Sequence, residues 1–371
     1  MAEELKYWIG LNAVSGIGPV RFKQLLDRMG NAAAAWSAPR DELKAAGLDE
    51  PTIQNLERLR REMDLDAELQ KFAQLGARVI TWGDPAYPAR LAQIHDPPPL
   101  LFVRGELSAR DEWAVAVVGT RSPKPYGKQV VEEIAGDLAR AGITVVSGLA
   151  RGIDALAHRA ALEAGGRTLA VLGSGIDILY PAENTTLADT ILERGALISE
   201  YPLGMPPEAG NFPRRNRLIS GLSLGVVVIE AGENSGALIT ADYALEQGRE
   251  LFAVPGNITS PKSRGTNKLI QEGGAKLILS VADILEELNL TLVQAQREVR
   301  EVAPENEAEA VILEQISQEP VHVDEIGRET GLPIAQVTGA LALMELKGLV
   351  RQVGGMHYVL AREAKLDYVV D

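Results

Sequence analysis

Residues 212–218, Phe-Pro-Arg-Arg-Asn-Arg-Leu, carry the densest chemistry in this sequence. Arg214, Arg215 and Arg217 stand where a helix should begin, with Asn216 among them. A helix N-terminus already carries about half a positive charge, so each cation in the first turn costs about 0.3–1 kcal/mol. Arginines set against that dipole make sense if an anion sits there. Guanidinium forks match phosphate oxygens bidentately, and the Phe212 ring offers a face on which a base can stack. Pro213 suits the first helical position, because its φ is preset and the missing N–H was an orphan anyway. Leu218, Ile219 and Leu222 continue as an apolar face at helical spacing. The same segment also reads as a solvated basic turn with Phe212 in the core, and by itself it does not separate the two.

The elements around this segment decide what it can reach. From Trp113 to about Leu288, short apolar runs recur at 114–118, 143–146, 168–172, 196–198, 226–229, 251–254 and 276–279. Helical segments lie between the earlier runs, several ending at Gly142, Gly165, Gly195 and Gly248. Near-continuous apolar strands mean a sheet covered on both faces. The expectation is an α/β fold, an extended Rossmann-like doubly wound parallel sheet. Ligands of such sheets bind at the carboxyl ends of the strands. Those ends read Gly119-Thr120-Arg121-Ser122-Pro123-Lys124, then Ser147-Gly148-Leu149-Ala150-Arg151-Gly152-Ile153-Asp154, then Gly173-Ser174-Gly175-Ile176-Asp177. Ser199-Glu200-Tyr201 and Glu230-Ala231-Gly232-Glu233-Asn234-Ser235-Gly236 follow. Four of the five are rich in glycine, serine or arginine, and glycine lets backbone N–H groups approach an oxyanion closely. Together they point to a phosphate-rich ligand.

The kind of phosphate is narrowed by what is missing. No Gly-x-Gly-x-x-Gly follows the first strand, and there is no Walker A lysine motif. Arg121 stands where a dinucleotide enzyme wants bare backbone. With Arg215 and Arg217 it makes several forks, which suits a polyanion tracked across a groove. The net charge of −14 excludes a general polyanion binder, so positive charge must be focused in one cleft. There are no cysteines and four scattered histidines, which leaves neither disulfides nor a thiolate or His-based metal site. No cofactor is expected. The N-terminus lacks a signal-peptide pattern and no run is long enough to span a bilayer, so a cytoplasmic protein without a membrane partner is expected. Asp154 and His158 lie one helical turn apart, and read better as a structural pair than as an acid/base couple.

Five regions follow along the chain. Residues 1–65 form a helical module, with Val14-Ser-Gly-Ile-Gly-Pro19 as a tight turn between helices. The turn resembles that of helix-hairpin-helix modules, though plain packing is the better reading. Residues 66–110 bridge to the centre with proline-broken apolar strands. Residues 111–288 hold the Rossmann-like domain. A charged linker spans 289–306. Residues 307–361 pattern as three helices and a hairpin around Gly354-Gly355, a winged helix. Its third helix carries only Glu345 and Lys347, and its wing Arg351, which favours protein contact or structural support over duplex DNA.

At these residues the chain resembles the DNA processing protein A family, known as DprA or Smf. The matching segments are Val117-Val-Gly-Thr-Arg121, Ser147-Gly-Leu-Ala-Arg-Gly-Ile-Asp154 with Ala157-His158, and Leu172-Gly-Ser-Gly-Ile-Asp177 with Tyr180-Pro181. Asn211-Phe-Pro-Arg-Arg-Asn-Arg-Leu-Ile-Ser-Gly221, Ser235-Gly-Ala-Leu-Ile-Thr240 and Gly265-Thr-Asn-Lys-Leu-Ile-Gln-Glu-Gly273 continue the match. The resemblance implies an N-terminal module like a sterile-alpha-motif fold, an extended Rossmann domain and a C-terminal winged helix. It implies a non-enzymatic protein that binds and protects single-stranded DNA without sequence preference. Such a protein loads RecA recombinase onto the strand during natural transformation, as part of competence and recombination. By the motif match, Arg121, Phe212, Arg215 and Arg217 fall where the family grips the strand. The loop and helix residues Gly119, Thr120, Lys124, Gly148, Ser174, Arg214, Asn216, Ser235 and Gly236 complete the expected single-strand site. The segment 267–277 matches the region through which members pair, placing Asn267, Ile270 and Leu277 at a homodimer interface. Ala182 and Ala209 stand where some relatives carry basic residues. The competing reading is a nucleotide phosphoribohydrolase on a related fold, with Glu230 near the acidic position. Its Pro-Gly-Gly-x-Gly-Thr signature is absent.

Overall fold

Runs of β-branched and small apolar residues, each closed by Gly, Ser or Pro, build the centre of the molecule. In the computed structural model, residues 2–290, 307–316, 321–346, 350–354 and 356–360 are described. The chain divides into two compact units, Met1–Leu288 and Asn289–Asp371.

The first unit holds a nine-stranded sheet. Its strands are β1 (Ala77–Thr81), β2 (Leu100–Gly105), β3 (Ala114–Val118), β4 (Thr144–Ser147), β5 (Thr168–Val171), β6 (Ala196–Ser199), β7 (Gly225–Val228), β8 (Glu250–Ala253) and β9 (Lys276–Leu277). Their order is β1-β2-β6-β5-β4-β3-β7-β8-β9. From β6 to β9 every pairing is parallel, while β1 and β2 add antiparallel to the β6 edge. The order reverses between β3 and β7, so the crevice between their carboxyl ends is the topological switch point.

Alternate side chains enter two cores, as the period of a strand requires. Leu169 and Val171 of β5 join Leu218, Ile219 and Leu222 on one face. Ala170, between them, joins Leu187, Ala188 and Ile191 on the other. Helix α7 (Pro125–Arg140) follows β3, α8 (Ile153–Glu163) follows β4, and α9 (Thr185–Arg194) follows β5. Helices α10 (Asn211–Gly221), α11 (Gly236–Glu246), α12 (Arg264–Gln271) and α13 (Val281–Glu287) complete the covering layers.

The N-terminal helices belong to the same unit. They are α1 (Ala2–Ala13), α2 (Pro19–Met29), α3 (Ala32–Ser37), α4 (Arg40–Ala45), α5 (Glu50–Glu62) and α6 (Leu65–Gln74). The helical stretch therefore runs past Leu65, because Asp64 caps α6 through the N–H groups of Asp66 and Ala67. Phe72 of α6 stacks on Phe102 of β2 with ring centroids 4.4 Å apart. Trp8 meets Trp82 edge-on at 6.0 Å. At the first glycine turn, Val14 and Ile17 are buried and Gly16 O accepts from Arg21 Nη1 at 3.0 Å, which is a packing role.

The second unit is a winged helix. Helices α14 (Glu307–Glu314), α15 (Val323–Thr330) and α16 (Ile334–Leu346) pack Ile312, Ile326, Val337 and Leu341 together. Strands β10 (Val321–His322), β11 (Val350–Gly354) and β12 (His357–Leu360) form its sheet in the order β10-β12-β11. Lys347, Gly355 and residues 291–306 of the expected linker lie outside the described residues.

Candidate functional site

The loops that leave the carboxyl ends of β3, β4 and β5 meet the first turn of α10. Gly152 lets two of these loops touch: its φ is 77°, and a Cβ there would lie 2.4 Å from Thr120 O. Gly173 does the same for a ring, since its Cβ would lie 2.9 Å from Phe212 Cδ1. Phe212 thereby lies flat against the loop after β5, half-buried.

On this ring sits a cation. The Arg121 guanidinium carbon lies 5.5 Å from the Phe212 centroid, within cation–π range. Tyr180 flanks the ring on another side at 5.6 Å and is 41% exposed. Tyr180 was not among the residues singled out from sequence for the site. The only signal in the sequence is an aromatic directly ahead of Pro181. Arg121 and Arg214 are both exposed.

The other two arginines of α10 turn inward. Arg215 is only 3% exposed, and its Nη1 donates to Gly148 O at 2.8 Å and to Val171 O. Gly148 is obligatory beneath it, because a Cβ would lie 2.5 Å from the guanidinium. Burial pushes the Arg215 pKa down to about 10. Asp154 lies nearby and buried; burial pushes its carboxyl up, against the pull of Arg215 and of the Ala150 and Gly148 N–H groups. Arg217 is 6% exposed and pairs with Asp96 at 3.0 Å and Glu200 at 2.5 Å. The sequence reading set Arg215 and Arg217 beside Arg121 as phosphate forks; of the three arginines of α10, Arg214 alone is exposed. The dipole opposition is met by carbonyls and carboxylates from other elements. Pro213 is likewise not at the helix start. The helix begins at Asn211, and proline is tolerated within the first turn because those N–H groups have no intrahelical acceptor.

The remaining expected residues divide by role. Gly119 and Thr120 are half-buried at the rim, and Thr120 N–H already donates to Glu230 O at 2.7 Å. Lys124 is exposed on the far side of the same loop, and its N–H donates to Glu230 Oε2 at 3.0 Å. Lys262 Nζ donates to Ser122, tying that loop from a third direction. Ser174 is buried, with its hydroxyl donating to Ile178 O at 2.7 Å, so its side chain holds its own loop and does not face outward. Asn216 links Arg215 Nε at 3.2 Å with Gly236 O at 3.2 Å. Ser235 caps α11 through Ala237 N–H, and Gly236 is exposed.

His158 is buried, and its Nδ1 lies 2.7 Å from Thr168 Oγ1. That hydroxyl donates to Val145 O, so the imidazole N–H donates to Thr168. Asp154 and His158 are thus each held by other groups, and among the described residues no group of three or more His, Cys, Asp or Glu is placed to hold a metal ion.

At the far edge, Asn267 uses both ends of its amide on Gly256, accepting from its N–H at 3.0 Å and donating to its O at 2.9 Å. Ile270 is half-buried against the core, whereas Leu277 on the edge strand is 43% exposed. Among the described residues, no helix is long and apolar enough to cross a membrane.

Residues 78–289 match the family described as DNA recombination-mediator protein A. Residues 3–64 match the DprA-like N-terminal HHH domain, and residues 296–356 the DprA winged helix domain. The chain is 35% identical to Protein Smf of Synechocystis sp., over 96% of this chain and 98% of that protein. The X-ray structure of DNA processing protein A from Streptococcus pneumoniae superposes with a TM-score of 0.67 at 38% identity, covering 76% of this chain and 97% of that one. A DNA processing protein A from Helicobacter pylori, solved for its single-stranded DNA binding mode, superposes at 0.52 with 32% identity. It covers 58% of this chain and 96% of that one.

Proposed function

Because this chain belongs to the family of DNA recombination-mediator protein A, the Smf and DprA proteins, we propose that it binds single-stranded DNA without reading its sequence. In this reading it shields the strand in the cytoplasm and passes it to a RecA recombinase during DNA uptake and recombination. It performs no chemistry on the DNA and needs no cofactor.

One observation carries the reading: the exposed Arg121 guanidinium over the Phe212 ring, with Tyr180 beside it. Aromatic faces take any base, and a cation takes any phosphate, which is the chemistry of sequence-independent strand binding. We assign Arg121, Phe212, Tyr180 and Arg214 to the strand. Arg215, Arg217 and Ser174 hold that surface in shape. Leu277 and the neighbouring Leu279, 78% exposed, offer the edge of β9 to a second copy of the chain.

The test is a fluorescence-anisotropy titration of labelled oligothymidylate against duplex of equal length. The single strand should bind more tightly, with about −0.7 in the slope of log K against log salt for each phosphate contacted. Arg121→Ala should flatten the slope by about that amount. Phe212→Ala should cost about 1–3 kcal/mol. Equal binding of duplex, or slopes indifferent to Arg121, would remove the proposal.

A further inference from the structure

A second cleft opens on the other side of the 119–124 loop, at the switch point between β3, β7 and β8. It is an open groove of about 600 Å³, inside the range of small-molecule sites. Its wall includes Lys124, Tyr126, Glu230, Asn257, Ser260 and Ser263. Two of these are polar residues that the fold nearly buries: Glu230 is 4% exposed, with Oε2 accepting Lys124 N–H at 3.0 Å, and Ser263 is 6% exposed. Both line the cleft.

The cleft is held open by its surroundings. Asn267 fixes Gly256 on one wall, Tyr126 donates its hydroxyl to Pro255 O at 2.9 Å, and Lys262 ties the wall to Ser122. The shape therefore does not depend on an occupant.

We propose that this cleft binds a free ribonucleoside 5′-monophosphate. It goes beyond the strand surface and does not rest on it. A carboxylate only accepts, so the group facing Glu230 must donate. The vicinal hydroxyls of a ribose do so, and an acidic residue at a strand end is how such sheets hold a ribose. The Tyr126 ring and Pro255 give an apolar wall for the base. The Lys124 ammonium, at the N-terminus of α7, meets the phosphate. Lys262 is engaged with Ser122, which leaves one cation and matches one phosphate.

The experiment is isothermal titration of the full chain with AMP and CMP, and with their 2′,3′-dideoxy counterparts. Both ribonucleotides should bind, and the dideoxy forms at least tenfold more weakly, as loss of hydrogen bonds to a charged group predicts. Glu230→Gln keeps an acceptor for Lys124 N–H and should abolish that discrimination. Ser263→Ala should weaken AMP severalfold, with melting temperature and oligothymidylate binding unchanged. Saturating oligothymidylate should leave AMP affinity within about twofold. Absence of AMP binding at millimolar concentration would overturn the proposal. So would equal binding of dideoxy forms, indifference to both variants, or full displacement by oligothymidylate.

Discussion

Replacing Arg215 by methionine tests the inward placement of this guanidinium. Methionine retains much of the apolar stem volume but no donor. The change orphans two buried carbonyls, Gly148 O and Val171 O, and removes the cation beside Asp154. Hydrogen bonds to a charged donor are worth about 1.5–3 kcal/mol each, and breaking a buried charged arrangement costs about 3–5 kcal/mol. For a unit of this size, about 2–4 °C of melting temperature is lost per kcal/mol. The expected fall is therefore about 10 °C, read by circular dichroism at pH 7.5. Oligothymidylate binding, measured well below both melts, should keep the wild-type salt slope. An unchanged melt together with a slope flatter by about 0.7 would show that Arg215 meets a phosphate. That result would refute the inward placement.

Gly173→Ala should drive a methyl against Phe212, 2.9 Å from Cδ1, and weaken oligothymidylate about five- to tenfold, a share of the stacking energy; unchanged affinity would show that the ring does not stack on a base. If the proposed β9-edge contact pairs two copies, Leu277→Glu should be monomeric in light scattering at a micromolar concentration where the unmodified chain is a dimer, and a dimer that persists in the variant would exclude that edge as its contact. His158 is held neutral, its pKa pushed down to about 3 by burial from an ordinary 6.5. The unfolded chain thus binds the extra proton between those values, so this stabilisation is full above pH 6.5 and declines as pH falls. His158→Gln should show a shallower loss of melting temperature from pH 7.5 to 5, and equal losses would clear His158 as the source.

The sheet was legible because its strands are buried on both faces and read as plain apolar runs between glycine turns. The strand-end loops were legible for the same reason, as their glycines mark where backbones come close. Orientation within α10 was not legible. Arginine reads as exposed, and the groups that bury Arg215 and Arg217 come from distant segments: Gly148, Val171, Asp96 and Glu200. Nothing local announces them. The hydroxyl of Ser174 closes its own turn, a role that a serine between glycines does not announce. Asn267 matched a pairing segment, but an amide can cap both the N–H and the C=O of one residue, and here it does.

The loop bearing Arg121 is pinned at Thr120, Ser122 and Lys124. A clasp with its main chain fixed needs no folding step at encounter. Strands of different composition should then arrive at one common rate, governed by diffusion and charge, and differ only in how long they stay.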